Sequence, residues 1–142
     1  MSSEAAWEGT SEVDESGVRG VVLAHGPMAR AMVDAVRRIA GDKADALVAL
    51  SNDEMSPEGL KEELDRSMGD GPVVVFTDLR SGSCGMAALA TCRDGPRRLV
   101  VCGVNLPMLL DFVFHRDLPV DQLADRLVEC GRASITRPII PS

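Results

Sequence analysis

Between Gly20 and Val128 the chain switches repeatedly from short apolar runs to stretches whose apolar residues recur at helical spacing, and this alternation restricts the fold more than any other feature. Gly20 to Ala24 is a short apolar run. Met28, Ala31, Met32, Ala35, Val36 and Ile39 follow at helical spacing, with Arg30, Asp34, Arg37 and Arg38 on the other face. Pro27 suits the first turn of that helix and Gly41 its end. Ala46 to Leu50 predicts a second strand, and a helix from Pro57 carries Leu60, Leu64 and Met68 until Gly69-Asp70-Gly71 stops it. Pro72 to Thr77 is apolar almost throughout, which fits a strand buried on both faces and places it in the middle of a sheet. A helix from about Cys84 to Thr91, a strand from Arg98 to Cys102 and a helix entered through Asn105, a good N-cap, come next. Val120, Leu123, Ala124, Leu127 and Val128 mark a last helix closed by Gly131. The tail from Ala133 to Ile140 alternates partly, as Ser134-Ile135-Thr136, which predicts a strand, and Pro138, which cannot donate to a ladder, places it at an edge.

Strand and helix in alternation, joined by short connections, predict an α/β fold. We expect a three-layer open sheet, mostly parallel, of order 2-1-3-4 with a C-terminal edge strand and helices on both faces. Ligands of such sheets bind beyond the carboxyl ends of the strands, where strand order reverses. His25 follows strand one, Asp78 follows strand three, and Gly103 to Asn105 follow strand four, so all three segments fall along one edge. Strands one and three are neighbours in this order, which brings His25 and Asp78 together.

A chain of 142 residues is the length of one domain. Of its formal charge of −7, much is contributed by Glu4, Glu8, Glu12, Asp14 and Glu15, all ahead of Arg19, so residues 1–18 read as an acidic disordered tail and 19–142 as the domain. No broad basic field remains to neutralise phosphates of DNA or RNA, and 3% aromatic content builds no stacking platform, which excludes nucleic acid as a partner. No run reaches the length of a membrane span, and the acidic start lacks the basic and apolar regions of a signal peptide. A cytoplasmic protein with no membrane insertion is expected. Cys84, Cys92, Cys102 and Cys130 show no CxxC spacing and read as reduced structural thiols. Neither histidine has a partner at metal-ligand spacing, so no metal and no cofactor are expected.

A histidine held by a carboxylate serves as a metal ligand, a general base or a nucleophile toward phosphorus, the carboxylate fixing the tautomer and leaving one ring nitrogen free. Metal binding needs more ligands at this edge. A hydrolytic triad needs a nucleophile elbow, and Ser81-Gly82-Ser83 lacks the GxSxG pattern. A phosphoryl carrier needs only an exposed imidazole, a carboxylate and backbone N–H groups for the phosphate oxygens. The turn at Gly26 and the small residues Ser81, Gly82 and Ser83 ahead of a helix supply such groups. Helix capping is the competing role for both His25 and Asp78. His115, late in a helix beside Arg116, reads as a favourable C-terminal charge, and Trp7 gives no functional signal.

Val21 to Ala29 with its Leu-Ala-His-Gly-Pro-Met core, Phe76-Thr77-Asp78-Leu79 with Gly82-Ser83, and Gly103 to Leu110 resemble the IIA component of the mannose class of the phosphoenolpyruvate-dependent sugar phosphotransferase system. The match runs in order from about Arg19 to Pro138, and the Gly-Val-Asn-Leu-Pro-Met-Leu block is its most specific part. The resemblance implies that His25 accepts phosphate from the carrier HPr and passes it to a IIB component. It further implies that Asp78 pairs with the imidazole, that Gly26, Ser81, Gly82 and Ser83 line the phosphate site, and that Asn105 borders it. It also implies a homodimer formed by exchange of a C-terminal strand. The chain departs from the family after Leu79, where an apolar residue and Gly-Gly-Ser, then often Pro and Asn, are usual. Here Arg80-Ser81-Gly82-Ser83-Cys84-Gly85 stand instead, and Arg80 is a candidate contact for phosphate or an acidic partner. No IIB domain follows before Ser142, so the expected acceptor is a separate protein. Two other outputs stay open: a phosphocarrier for a dihydroxyacetone kinase, and a regulatory phosphoacceptor uncoupled from sugar transport.

Overall fold

The structure is a computed structural model that describes residues 17–93, 95 and 97–142. Four parallel strands form one sheet: β1 (Arg19–Ala24), β2 (Leu47–Ser51), β3 (Val73–Thr77) and β4 (Arg98–Cys102). They lie in the order β2-β1-β3-β4, with Val22 opposite Phe76 and Phe76 opposite Val101. The helices are α1 (Met28–Ala40), α2 (Pro57–Met68), α3 (Ser83–Cys92), α4 (Leu106–Phe114) and α5 (Val120–Ala133). This is the doubly covered α/β sheet that the alternation predicts, and every residue of β3 is buried.

Side chains alternate across each strand, so two cores form on opposite faces of the sheet. Val22, Ala24, Val74 and Phe76 meet α1, α4 and α5 through Val36, Leu109, Phe112 and Leu123. The Phe76 and Phe112 rings pack edge to face, their centroids 5.3 Å apart. On the other face Val21, Leu23, Val73 and Val75 meet Leu60, Leu64 and Met68 of α2 and Cys84, Ala88 and Cys92 of α3. Among the described residues no helix is long and apolar enough to cross a membrane.

The structure corrects several boundaries. Gly41–Ala46 forms a 3-10 helix, so β2 starts at Leu47 rather than Ala46. Gly131 does not close the last helix, which runs on to Ala133 with Gly131 buried inside it. A Cβ there would meet Met108 Cε at 2.6 Å, so the glycine serves close approach of α5 to α4. The expected C-terminal edge strand does not form within the single chain: residues 135–142 carry no regular structure, and the four-stranded sheet ends at β2 and β4. Pairing such a segment needs an edge that its own chain does not bring to it. Positions 1–16 of the expected acidic tail lie outside the described residues. Val18, assigned to that tail on charge alone, is buried, and its N–H donates to Arg116 O at 3.0 Å.

The four thiols carry no disulfide. Cys84 and Cys92 are buried, and Cys102 and Cys130 are half-buried. Burial pushes the Cys92 thiol up to about 11, with Arg98 opposing the shift.

Candidate functional site

His25 is the first residue after β1 and Asp78 the first after β3, and because these strands are neighbours their ends stand side by side. Asp78 Oδ2 lies 2.8 Å from His25 Nδ1 and also accepts the His25 backbone N–H at 3.0 Å. Asp78 Oδ1 accepts the N–H of Leu79 at 2.9 Å. Burial alone would raise the Asp78 carboxyl. The His25 backbone N–H, the His25 ring and the Leu79 N–H together hold it below its ordinary value. An ionised carboxylate only accepts hydrogen bonds, so the 2.8 Å contact assigns the ring proton to Nδ1 and leaves the lone pair on Nε2. The His25 side chain is 41% exposed against 10% for Asp78, so the nitrogen that is free is also reachable.

The Cε1–Nε2 edge of the ring faces Gly82, the residue that leads into α3. A Cβ on Gly82 would sit 3.6 Å from Cε1 and 3.7 Å from Nε2. Gly82 itself has φ +96°, which side-chain-bearing residues rarely adopt. The first N–H groups of α3 have no carbonyl within the helix to bond, and the helix dipole favours negative charge at this end. Three residues on, Gly85 lies so close to the preceding loop that a Cβ would meet Arg80 O at 2.2 Å. That close approach folds residues 79–82 back onto the first turn of α3.

Ser83 Oγ accepts from Asn52 Nδ2 at 3.1 Å, and Asn52 Oδ1 accepts the Gly26 N–H at 3.4 Å. Asn52 follows β2, the other neighbour of β1, and ties the turn after His25 to the start of α3. The sequence pattern alone assigns Asn52 no role. Its position just after a strand on the same sheet edge was the available signal. Cys84 was also missed: its sulfur, a His25 ring nitrogen and an Asp78 oxygen all lie within 4.8 Å of one another. Burial, with the Asp78 charge adding to it, raises the Cys84 thiol, against a Ser83 hydrogen bond that lowers it.

The remaining candidates divide. Gly26, Gly82 and Ser83 stand around His25 as described. Ser81 and Arg80 are exposed, and Arg80 makes no side-chain hydrogen bond or ion pair among the described residues. The Gly103 segment does reach this edge, where the N–H groups of Gly103 and Val104 donate to Thr77 O at 2.9 and 3.0 Å. The Asn105 side chain, however, is committed elsewhere. Its Oδ1 caps α4 by accepting the Met108 N–H at 3.1 Å, and its Nδ2 donates to Gly131 O at 3.1 Å. Asn105→Ala therefore removes a cap and a link to α5, and should lower stability by about 1–2 kcal/mol in chemical denaturation without altering His25 chemistry. His115, at the end of α4, is bonded through Nδ1 to Asp111 O at 2.8 Å, in a cluster with Arg126.

Over residues 20–128 the chain matches the family described as the PTS system fructose IIA component. No curated protein sequence gives a significant match. Among solved structures it is similar to the mannose/sorbose specific IIA subunit of the phosphotransferase system from Enterococcus faecalis, with 27% identity and a TM-score of 0.79. That alignment covers 89% of this chain and 98% of the other. The phosphotransferase system component EIIA from Streptococcus agalactiae is similar at 25% identity and a TM-score of 0.79, over 84% and 96% of the two chains. The PTS IIA protein associated with the fucose utilization operon from Streptococcus pneumoniae shares the fold, at 21% identity and a TM-score of 0.70 over 86% and 94%.

Proposed function

The chain belongs to the family of PTS system fructose IIA components, and from that membership we propose that it carries a phosphoryl group on Nε2 of His25, taken from phospho-HPr and handed to a separate IIB component. What carries this is the 2.8 Å bond between Asp78 Oδ2 and His25 Nδ1, which leaves Nε2 as a free, reachable nucleophile facing the N-terminus of α3. In the transfer the Nε2 lone pair forms the new N–P bond as the donor's phosphohistidine N–P bond breaks. The Nδ1 proton stays on the ring throughout. Asp78 stabilises the positive charge that develops there, and the first N–H groups of α3 receive the phosphoryl oxygens.

Both donor and acceptor are proteins in this scheme, and the surface beside His25 suits one. Leu79 is 55% and Met86 69% exposed, and Met86 lines a groove between α2 and α3 that opens at Asn52, Gly82 and Ser83. Apolar side chains of this size beside a reacting group favour docking of another protein. The test is incubation of the protein with phosphoenolpyruvate, enzyme I and HPr. One acid-labile phosphoryl group per chain is the expected product, and its absence with an active HPr overturns the proposal.

Asp78→Asn should fold but accept phosphate about ten- to a hundredfold more slowly, because an amide lacks the charge that stabilises the phosphorylated ring. The same pair of proteins reports on acid stability. The Asp78 carboxyl is depressed in the fold, so its stabilisation is present above the ordinary carboxylate value and lost as pH falls through the folded one. The stability gap between wild type and Asp78→Asn should thus shrink as denaturation is measured from pH 7 toward strongly acidic conditions. Unchanged transfer kinetics in a folded variant would limit Asp78 to a structural role.

Ile135, Ile139 and Ile140 are 79%, 95% and 85% exposed in the single chain, three large apolar residues within a short tail. We assign their burial to a second copy, whose sheet edge the tail would extend. Removal of residues 135–142 should convert a dimer to monomer or aggregate in sedimentation. An unchanged soluble dimer rules this assembly out.

A further inference from the structure

Cys84 is the second residue of α3, fully buried in the same cluster as Val21, Leu23 and Val75. Its sulfur nevertheless points to the polar end of its surroundings. Sγ, a ring nitrogen of His25 and a carboxylate oxygen of Asp78 lie mutually within 4.8 Å. The spacing of 25, 78 and 84 forms no ligand motif in the sequence, because the three residues arrive from the ends of β1 and β3 and the start of α3. Imidazole nitrogen, carboxylate oxygen and thiolate sulfur are the donor set that zinc-class cations prefer. With metal–ligand distances of about 2.0–2.3 Å, neighbouring ligands around a tetrahedral ion stand roughly 3.3–3.8 Å apart, so these atoms close on one ion by small side-chain rotations. His25 is exposed enough to admit the ion, and water completes the fourth position.

We propose that His25, Asp78 and Cys84 form a binding site for a thiophilic divalent cation of the zinc class, and that an ion there blocks phosphorylation of His25. On binding, the Cys84 thiol releases its proton to solvent and the sulfur bonds the metal, so one thiolate and one carboxylate balance its two charges. The ion takes the place of the proton between Asp78 Oδ2 and His25 Nδ1, which lie 2.8 Å apart; that proton moves to Nε2, and a protonated Nε2 has no lone pair to offer phosphorus. The metal-binding half stands on geometry alone. The blocking half rests on the reading of His25 as the phosphoryl acceptor.

Cobalt(II) is the probe for the first half, because a sulfur ligand gives it a charge-transfer absorption that oxygen and nitrogen ligands do not. Unphosphorylated full-length protein should show that band with one cobalt per chain, and Cys84→Ala should lose it. Cys84→Ser and Asp78→Asn, as second variants whose folding is checked by circular dichroism, should each weaken cobalt binding about tenfold or more. No such band in the wild type, or a band that survives in Cys84→Ala, overturns the site. For the second half, zinc should slow transfer from preformed phospho-HPr to the wild type about tenfold or more and leave Cys84→Ala at its own zinc-free rate. Equal slowing of both proteins refutes the block. A chain that binds cobalt through Cys84 but never accepts phosphate would retain the metal site and remove the phosphocarrier proposal, so the two failures are distinct.

Discussion

His25→Ala should accept no phosphoryl group from phospho-HPr while remaining folded. The chain has only two histidines, and His115 is bonded to Asp111 at the end of α4, so His115→Ala supplies the control and should be labelled like wild type. Loss of the imidazole leaves Asp78 with two partners, because the backbone N–H groups of residue 25 and Leu79 donate to it independently of the ring. The cost to stability should therefore stay near 1 kcal/mol, the worth of one partly exposed hydrogen bond, well inside the 5–15 kcal/mol of an ordinary domain. Intact-mass analysis after incubation with phosphoenolpyruvate, enzyme I and HPr reads the result directly. Undiminished labelling of His25→Ala would remove His25 from the mechanism.

Gly82→Ala should be the most damaging change that leaves His25 and Asp78 in place. Two costs separate cleanly. The backbone at φ +96°, ψ −179° lies in a region open essentially to glycine, so alanine should lose about 1–3 kcal/mol of stability, visible in a denaturant melt. The added methyl would also stand 3.7 Å from Nε2, in the space the phosphoryl oxygens must occupy between the ring and the first turn of α3. If the loop moves to relieve the strain, the α3 N–H groups lose their aim instead. Either way transfer from phospho-HPr should slow by about a hundredfold, the scale expected of displacements near 1 Å at a reacting centre. A folded variant with a wild-type rate in rapid-quench kinetics would show that phosphate does not approach by this route.

Much of the scaffold was legible because apolar pattern and topology agree. The Val73–Thr77 run was apolar on both faces and lies mid-sheet. The order 2-1-3-4 then places His25 beside Asp78 although 53 positions separate them. What escaped depends on neighbours rather than on residue type. A glycine late in a helix serves equally to end it or to admit another helix, and only the position of Met108 distinguishes these at Gly131. An asparagine after a strand serves to cap or to face a ligand. Asn105 was expected to cap its helix and, through the resemblance, to border the site; its side chain performs the first and is bonded away to Met108 and Gly131. Asn52 carried no signal of its own, since its bonds to Gly26 and Ser83 exist only because β2 and α3 converge there. Cys84 looked like any small apolar residue, and only the rotational phase of α3 turns its sulfur toward His25. The tail beyond α5 has no pairing partner in its own chain, so a period-two pattern there predicted a strand that one copy does not contain.

The contact of Gly85 with the Arg80 carbonyl bears on how a partner would tell the charged form of this molecule from the empty one. Residues 79–82 are seated on α3 by backbone packing, since a Cβ on Gly85 would meet Arg80 O at 2.2 Å and Leu79 O at 2.9 Å. The ordering entropy of this loop is spent during folding, which spares that cost in the proposed transfer. A loop seated in this way gives the proposed phosphate site little shape to change when it fills. Its message to the next protein is then written in negative charge at one point on the surface, and discrimination should depend on ionic strength far more than on conformation.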